Sequence, residues 1–228
     1  MQAVNPCAGP CAKFTWAGQA RRHTGPDMTD FLLIRHGETD YNRQLRFQGH
    51  IDIPLNATGQ HQAERLGQRL LAEPLDAVVV SDLQRARETA APLLRQRPLV
   101  AQLDPQWREQ AFGVLEGLEV PQVHRTHPDL WAAWSRHDAD HAPPGGESNR
   151  QFHARVMAAL QALAEARAGE RIAVFTHGGV LDMVWRQARG LPLAGPRDCA
   201  IPNTGLNRVR WAGGALEILQ WADDAHLR

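Results

Sequence analysis

The sequence predicts an α/β fold: a single three-layer domain with a mostly parallel central sheet and helices on both faces. Three observations predict it. Short, continuous apolar runs such as Phe31-Leu32-Leu33-Ile34, Ala77-Val78-Val79-Val80 and Ile172-Ala173-Val174-Phe175 read as strands buried on both faces. Amphipathic helical stretches lie between them, as crossover connections between parallel strands require. No internal repeat or linker divides the chain, and 228 residues suffice for one domain with a sizeable core.

In chain order, residues 1–27 lack periodicity and carry no acid before Asp27. No apolar stretch follows the start as in a secretory signal. Met28 is the expected natural start, after a disordered extension over 1–27, and 28–228 form the domain. The apolar run at 31–34 opens the sheet. An amphipathic helix is predicted over 57–71, with Thr58 near its start, then a second strand at 77–80 and a helix over about 83–95. A third strand is placed at 99–103. After an irregular segment comes a long helix over about 148–168, with Ser148 as its N-cap and Gly169 as its stop. A strand at 172–175 runs into a turn and helix beginning at Thr176-His177-Gly178-Gly179. Residues 206–211 and 215–220 flank Gly213-Gly214, a hairpin signal.

Lys and Arg total 25 against 25 Asp and Glu, so the formal net charge is zero. That leaves no general electrostatic case for nucleic acid or an anionic membrane as partner. No stretch approaches the ~20 apolar residues of a membrane-spanning helix. Cys7, Cys11 and Cys199 fit no zinc or redox spacing, and a reducing cytoplasm is the expected setting.

Ligands of open α/β sheets bind beyond the carboxyl ends of the strands. Arg35 and His36 follow the first strand, Ser81 and Arg85 the second, and His177 the strand at 172–175, while Glu109 lies in the irregular segment after the third. Singly, each reads as an ordinary surface or helix residue. Together they bring arginines, histidines and one carboxylate to one edge of the sheet, the chemistry that meets a phosphate. Gly37 lets the backbone come close, and a helix starting there would aim free N–H groups at the anion.

The segment Leu33-Ile34-Arg35-His36-Gly37-Glu38-Thr39, followed by Asn42, resembles the signature of the histidine phosphatase superfamily in its phosphoglycerate mutase-like branch. Further blocks carry the resemblance from about residue 30 to 226. They are Gln48-Gly49 with Asp52, Pro54-Leu55, Gly59 and Gln62-Ala63, then Ser81 to Ala86 with Thr89-Ala90. Arg108-Glu109 with Gly113 and Glu116-Gly117 comes next, then Pro144-Gly145-Gly146-Glu147-Ser148, then Val174-Phe175-Thr176-His177-Gly178-Gly179.

The resemblance implies that His36 is the nucleophile and is phosphorylated during turnover. The chemistry agrees: a neutral imidazole attacks phosphorus in line if cations keep it unprotonated and balance the phosphoryl charge. Arg35 and Arg85 are natural clamps because guanidinium matches phosphate with paired donors. His177 adds a donor, Asn42 a neutral one, and Gln48, Gly49 and Gly178 complete the expected binding set. Glu109 protonates the leaving oxygen and then deprotonates the attacking water, which asks for a carboxyl able to hold a proton near neutral pH. The scheme needs no metal and no cofactor.

Mutases and phosphatases of this family share those motifs, and two departures favour a phosphatase acting on small phosphorylated metabolites. His177 is followed by Gly178-Gly179, where mutases usually carry asparagine. The segment between Glu109 and His177 also looks shorter than the mutase region that encloses a bisphosphorylated cofactor. A cofactor-dependent phosphoglycerate mutase is the alternative, and a non-catalytic phosphate-binding regulatory protein is the alternative of another class. Substrate choice is assigned to residues 118–146, with Arg46 and Arg125 as candidate contacts for acidic substrates. Trp131 and Trp134 are read as packing that insert onto the domain before lining a pocket. His124, His127, His137, His141 and His153 cluster in sequence without a recognisable ligand pattern, so metal binding is not expected there. The C-terminal hairpin offers an edge for a homodimer.

Overall fold

A computed structural model of the protein describes residues 28–228, and the expectation for 1–27 lies outside the described residues. Strand β1 (Met28–Arg35) is followed by a one-turn helix α1 (Asp40–Arg43), helix α2 (Ala57–Leu70) and strand β2 (Ala77–Val80). Helix α3 (Gln84–Gln96) and strand β3 (Ala101–Leu103) come next, then two short helices, α4 (Val120–Thr126) and α5 (Pro128–Ser135). The long helix α6 (Asn149–Ala166), strand β4 (Arg171–Thr176), helix α7 (Gly178–Arg189) and the hairpin β5 (Leu206–Ala212) and β6 (Ala215–Asp223) complete the order.

The six strands lie in one sheet in the order β3-β2-β4-β1-β5-β6. The pairs β3 with β2, β2 with β4 and β4 with β1 are parallel, and the hairpin joins β1 antiparallel. Side chains alternate across β1. Phe31 and Leu33 enter a core with Val79, Val174, Trp107 and the buried faces of α6 and α7. Leu32 and Ile34 enter the opposite core with Val78, Val80, Phe175 and residues of α2 and α3. Both faces are covered, so the strands tolerate no polar alternation, and each large apolar side chain so buried contributes roughly 1.5–3 kcal/mol.

Helix α2 starts at Ala57, with Thr58 in its first turn, and is capped by Asn56, whose side chain accepts from the Gly59 N–H at 2.9 Å. One sequence expectation is adjusted. The segment expected to be irregular holds α4 and α5, which gather around a small third core of Phe47, Leu115 and Val123 with Trp131 and Trp134 packed against it. Ser148 caps α6 in a reciprocal capping box with Gln151, as its position predicts. Among the described residues no helix is long and apolar enough to cross a membrane.

Candidate active site

Parallel pairing sets Arg35 of β1 opposite Thr176 of β4, so His36 and His177 leave neighbouring strands at the same height. The His36 N–H continues the ladder to the Thr176 carbonyl at 2.9 Å, and the His36 carbonyl accepts from Asn203 Nδ2 at 2.9 Å. The ring is as tightly placed. Its Nδ1 lies 2.7 Å from the Gly37 carbonyl, which can only accept, so Nδ1 carries the hydrogen and Nε2 the lone pair. Burial, then the charges of Arg85 and Arg35, hold the His36 pKa well below the usual imidazole value. His36 is therefore neutral and held in one orientation, with its lone pair on Nε2.

Arg85 reaches the site from the first turn of α3 and is fully buried. Its Nη1 donates to the Ile51 carbonyl at 2.9 Å and its Nη2 to the Gly49 carbonyl at 2.8 Å. Gly49 thus acts through Arg85, standing behind it. Arg35 is anchored by Nη1 on the Ile201 carbonyl at 2.7 Å. Burial lowers the pKa of each arginine to about 10, so both stay charged at neutral pH. His177, with its ring centroid 5.2 Å from that of His36, has Nε2 2.8 Å from the Ser81 hydroxyl. Among the described residues His177 Nε2 is the acceptor within reach of the Ser81 hydroxyl hydrogen, which assigns that hydrogen to Nε2 and leaves the ring hydrogen on Nδ1. Burial, followed by Arg85 and His36, lowers the His177 pKa well below its ordinary value as well.

Three buried donors around His36 have no partner among the described residues: Arg35 Nε, Arg85 Nε and His177 Nδ1. An unsatisfied buried donor costs about 1–3 kcal/mol, and proteins rarely keep several together. Beside an imidazole lone pair, they form a cradle for a tetrahedral oxyanion. Asn42 and Gln48 line the same pocket. Thr39, their common neighbour, engages the side-chain oxygens of both at 3.1 and 3.0 Å, leaving their NH₂ groups as neutral donors.

Glu109 follows a 3₁₀ turn (Pro105–Trp107) anchored by the fully buried Trp107. Its Oε2 accepts from the Gly179 N–H at 3.0 Å, and its Oε1 from the Gln110 N–H at 2.9 Å. Its backbone carbonyl is held by His50 Nε2 at 2.9 Å and Arg155 Nη2 at 3.1 Å. Gly179 has to be glycine: a Cβ there would lie 2.0 Å from Glu109 Oε1 and 2.9 Å from Phe152 Cε1. Gly178 is freer, since a Cβ would meet Arg35 Nε at 3.4 Å and Arg197 Nη1 at 3.5 Å, ordinary contacts.

The pocket, of about 140 Å³, is walled by Phe47, Phe112 and Val120, with Arg46 and Arg197 among its other lining residues. A cavity of about 190 Å³ lies at the far, amino-terminal end of β1 and β4, between residues such as Asp30, Leu75 and Arg208, away from this chemistry. The apolar wall comes from residues beneath the tryptophans, because Trp134 stacks edge-on against Phe47 at 5.2 Å and Trp131 against Trp134 at 5.4 Å. Arg46 lines the pocket but is committed to Glu119 at 2.5 Å, the Gly117 carbonyl and Gln44. Arg125 is exposed on α4, outside the pocket lining. Arg197 had no sequence signal: it sits in an aperiodic segment after α7. Among the described residues, no group of three His, Cys, Asp or Glu is placed to hold a metal.

Comparison with known proteins agrees with this geometry. The family model described as histidine phosphatase superfamily, branch 1, matches residues 31–224. Phosphoglycerate mutase-like protein 4 of Arabidopsis thaliana is 37% identical over 206 residues, 88% of this chain and 88% of that protein. A metal-independent phosphoserine phosphatase of Arabidopsis thaliana is 34% identical over 220 residues, covering 94% of this chain and 89% of its own. Among solved structures, a mycobacterial glucosyl-3-phosphoglycerate phosphatase in complex with VO3 matches with a TM-score of 0.76 at 28% identity, covering 86% of this chain and 99% of that one.

Proposed function

This chain belongs to the histidine phosphatase superfamily, and from that premise we propose that it hydrolyses small-molecule phosphate monoesters through a phosphohistidine on His36. The observation that carries the reading is the ring of partnerless buried donors, Arg35 Nε, Arg85 Nε and His177 Nδ1, around a histidine whose Nε2 bears the lone pair. Nε2 of His36 attacks phosphorus as the phosphorus–oxygen ester bond breaks, and Glu109 gives its proton to the departing alcohol oxygen. Arg35, Arg85 and His177 take the phosphoryl oxygens, with Asn42 and Gln48 as neutral donors and the Gly178 N–H at the start of α7. Water then attacks the phosphohistidine, Glu109 accepts its proton, and the nitrogen–phosphorus bond breaks to release inorganic phosphate. No step is routed through a metal ion.

Hydrolysis is favoured over mutase chemistry by Gly178, which carries no side chain to fill the mouth of the pocket, and by the likeness to a phosphoserine phosphatase. A cytoplasmic setting belongs to the same reading, in keeping with cysteines that fit no zinc or redox spacing and with Cys199 having no disulfide partner among the described residues. The outer edge of β6 supports a homodimer, which sedimentation would detect.

The test is phosphate release from a panel of monoesters in the presence of a chelator, run beside isomerisation of 3-phosphoglycerate with 2,3-bisphosphoglycerate supplied. Chelator-resistant release that His36→Ala abolishes, with acid-labile phosphate trapped on the wild-type protein, is the expected result. Isomerisation without release would make the protein a mutase, and binding without trapped phosphate a regulatory module. Glu109→Gln should slow alkyl phosphates by roughly 10²-fold or more and an activated aryl phosphate far less. Equal losses on both would remove Glu109 from the acid role.

A further inference from the structure

Arg197 is the lining cation left over once the phosphoryl group is accounted for. Arg35, Arg85 and Arg46 all donate hydrogen bonds to the protein, whereas among the described residues the ion-pair partner of Arg197 is Asp182, at 3.9 Å and beyond hydrogen-bond reach. Asp182 is already engaged by Arg186 at 3.1 Å, and the Arg197 side chain is 43% exposed. Its Nη1 and the partnerless Arg35 Nε both come within 3.5 Å of the point where a Cβ at position 178 would be. An anionic oxygen placed above Gly178 therefore lies between two guanidinium groups.

The segment that carries Arg197 is built to hold it there. Arg186, buried at 4% exposure, donates through Nη1 to the carbonyls of Pro192 at 2.6 Å and Ala194 at 3.0 Å. Through Nη2 it donates to Gly195 at 3.0 Å and Pro196 at 2.7 Å. On the other side of Arg197, Trp185 Nε1 donates to Asp198 at 3.0 Å. An exposed arginine on an unrestrained loop would lose much of its attraction to loop as well as side-chain entropy, and here the chain on both sides of Arg197 is already held.

We propose that Arg197 determines substrate preference by holding a second acidic group, a carboxylate on the alcohol part of the ester close to the phosphate. The proposal rests on the phosphatase reading above and deepens it. The phosphoryl oxygens already have Arg35, Arg85, His177 and the two side-chain amides. A carboxylate on the alcohol part stands close to the phosphate's own negative charge, so admitting one calls for a further cation at the mouth. The facing Arg46 is neutralised by Glu119, and Arg197 is not matched in this way.

The experiment compares kcat/KM for 3-phosphoglycerate and glycerol 3-phosphate, which differ by a carboxylate against a hydroxymethyl group, in wild type, Arg197→Gln and Arg197→Lys. Competitive inhibition by inorganic phosphate is measured on each. Arg197→Gln is expected to lower the acid-over-alcohol ratio about tenfold or more, as loss of one charge-assisted hydrogen bond would. Lys should restore part of the ratio, with phosphate inhibition changing far less. An unchanged ratio, or a loss shared equally by both esters and by phosphate, overturns the proposal. Absence of turnover in wild type, or turnover surviving His36→Ala, overturns the phosphatase reading instead. The ratio is then taken from calorimetric affinities of the same two esters, and the same change supports or refutes the role of Arg197.

Discussion

The role proposed for His36 asks it to be a base at a pH where an ordinary imidazole is half protonated. Burial and two arginines resolve this by lowering its pKa, so the free enzyme keeps a neutral His36 through pH 6.5 and below. With an aryl phosphate, and after correction for the ester's own ionisation, kcat/KM should show no acid limb near pH 6.5; a limb there would mean that His36 titrates normally. Gly179 gives a second test. Gly179→Ala drives a methyl group into Glu109 and should reproduce Glu109→Gln, losing alkyl ester hydrolysis by more than tenfold while sparing aryl ester hydrolysis, as steady-state kinetics on both esters would report. The side chains gathered around His36 are legible in the sequence, because most follow an apolar run and so lie beyond the carboxyl ends of the strands. Arg197 is not: its place depends on Arg186 gathering four carbonyls of an aperiodic segment, a long-range arrangement with no periodic trace.

Helices show how far local rules reach. The capping box of α6 was readable from Ser148, and Ser148→Ala should cost about 1 kcal/mol. In a domain of this size that lowers Tm by roughly 2–4 °C, which calorimetry resolves. At α2 the cap does more than local work: Asn56 also donates to Glu38 Oε1 at 2.8 Å and so ties the start of the helix to the segment after His36, a tertiary contact with no trace in the periodicity. The helices α4 and α5 were invisible for a different reason. Each spans about two turns, too few for a period to emerge, and their apolar residues face a small separate cluster rather than the main core. Amides of α4 and α5 should accordingly exchange hydrogen through local opening, faster than those of β1 and β4, as exchange mass spectrometry would show.

Across the whole molecule, the two buried histidines link stability to pH. Their pKa values are lower folded than unfolded, so the unfolded chain binds more protons below about pH 6.5. Stability is full above that pH and declines as pH falls toward the folded values. The urea midpoint should be lower at pH 5.5 than at 7.5, and His36→Ala should narrow the difference. Asp82, its pKa lowered by hydrogen bonds from Arg108, adds a second loss only below about pH 4. The ladder between β1 and β4, running from Asp30 opposite Arg171 to Arg35 opposite Thr176, has a wider consequence. It fixes the two imidazoles through backbone pairing, while the walls around them come from segments outside the sheet. Floor and wall are thus separable parts. On the proposed reading, exchanging residues 112–146 or the stretch around Arg197 for another sequence is expected to change which ester is accepted, because neither segment belongs to the paired strands that hold the two imidazoles.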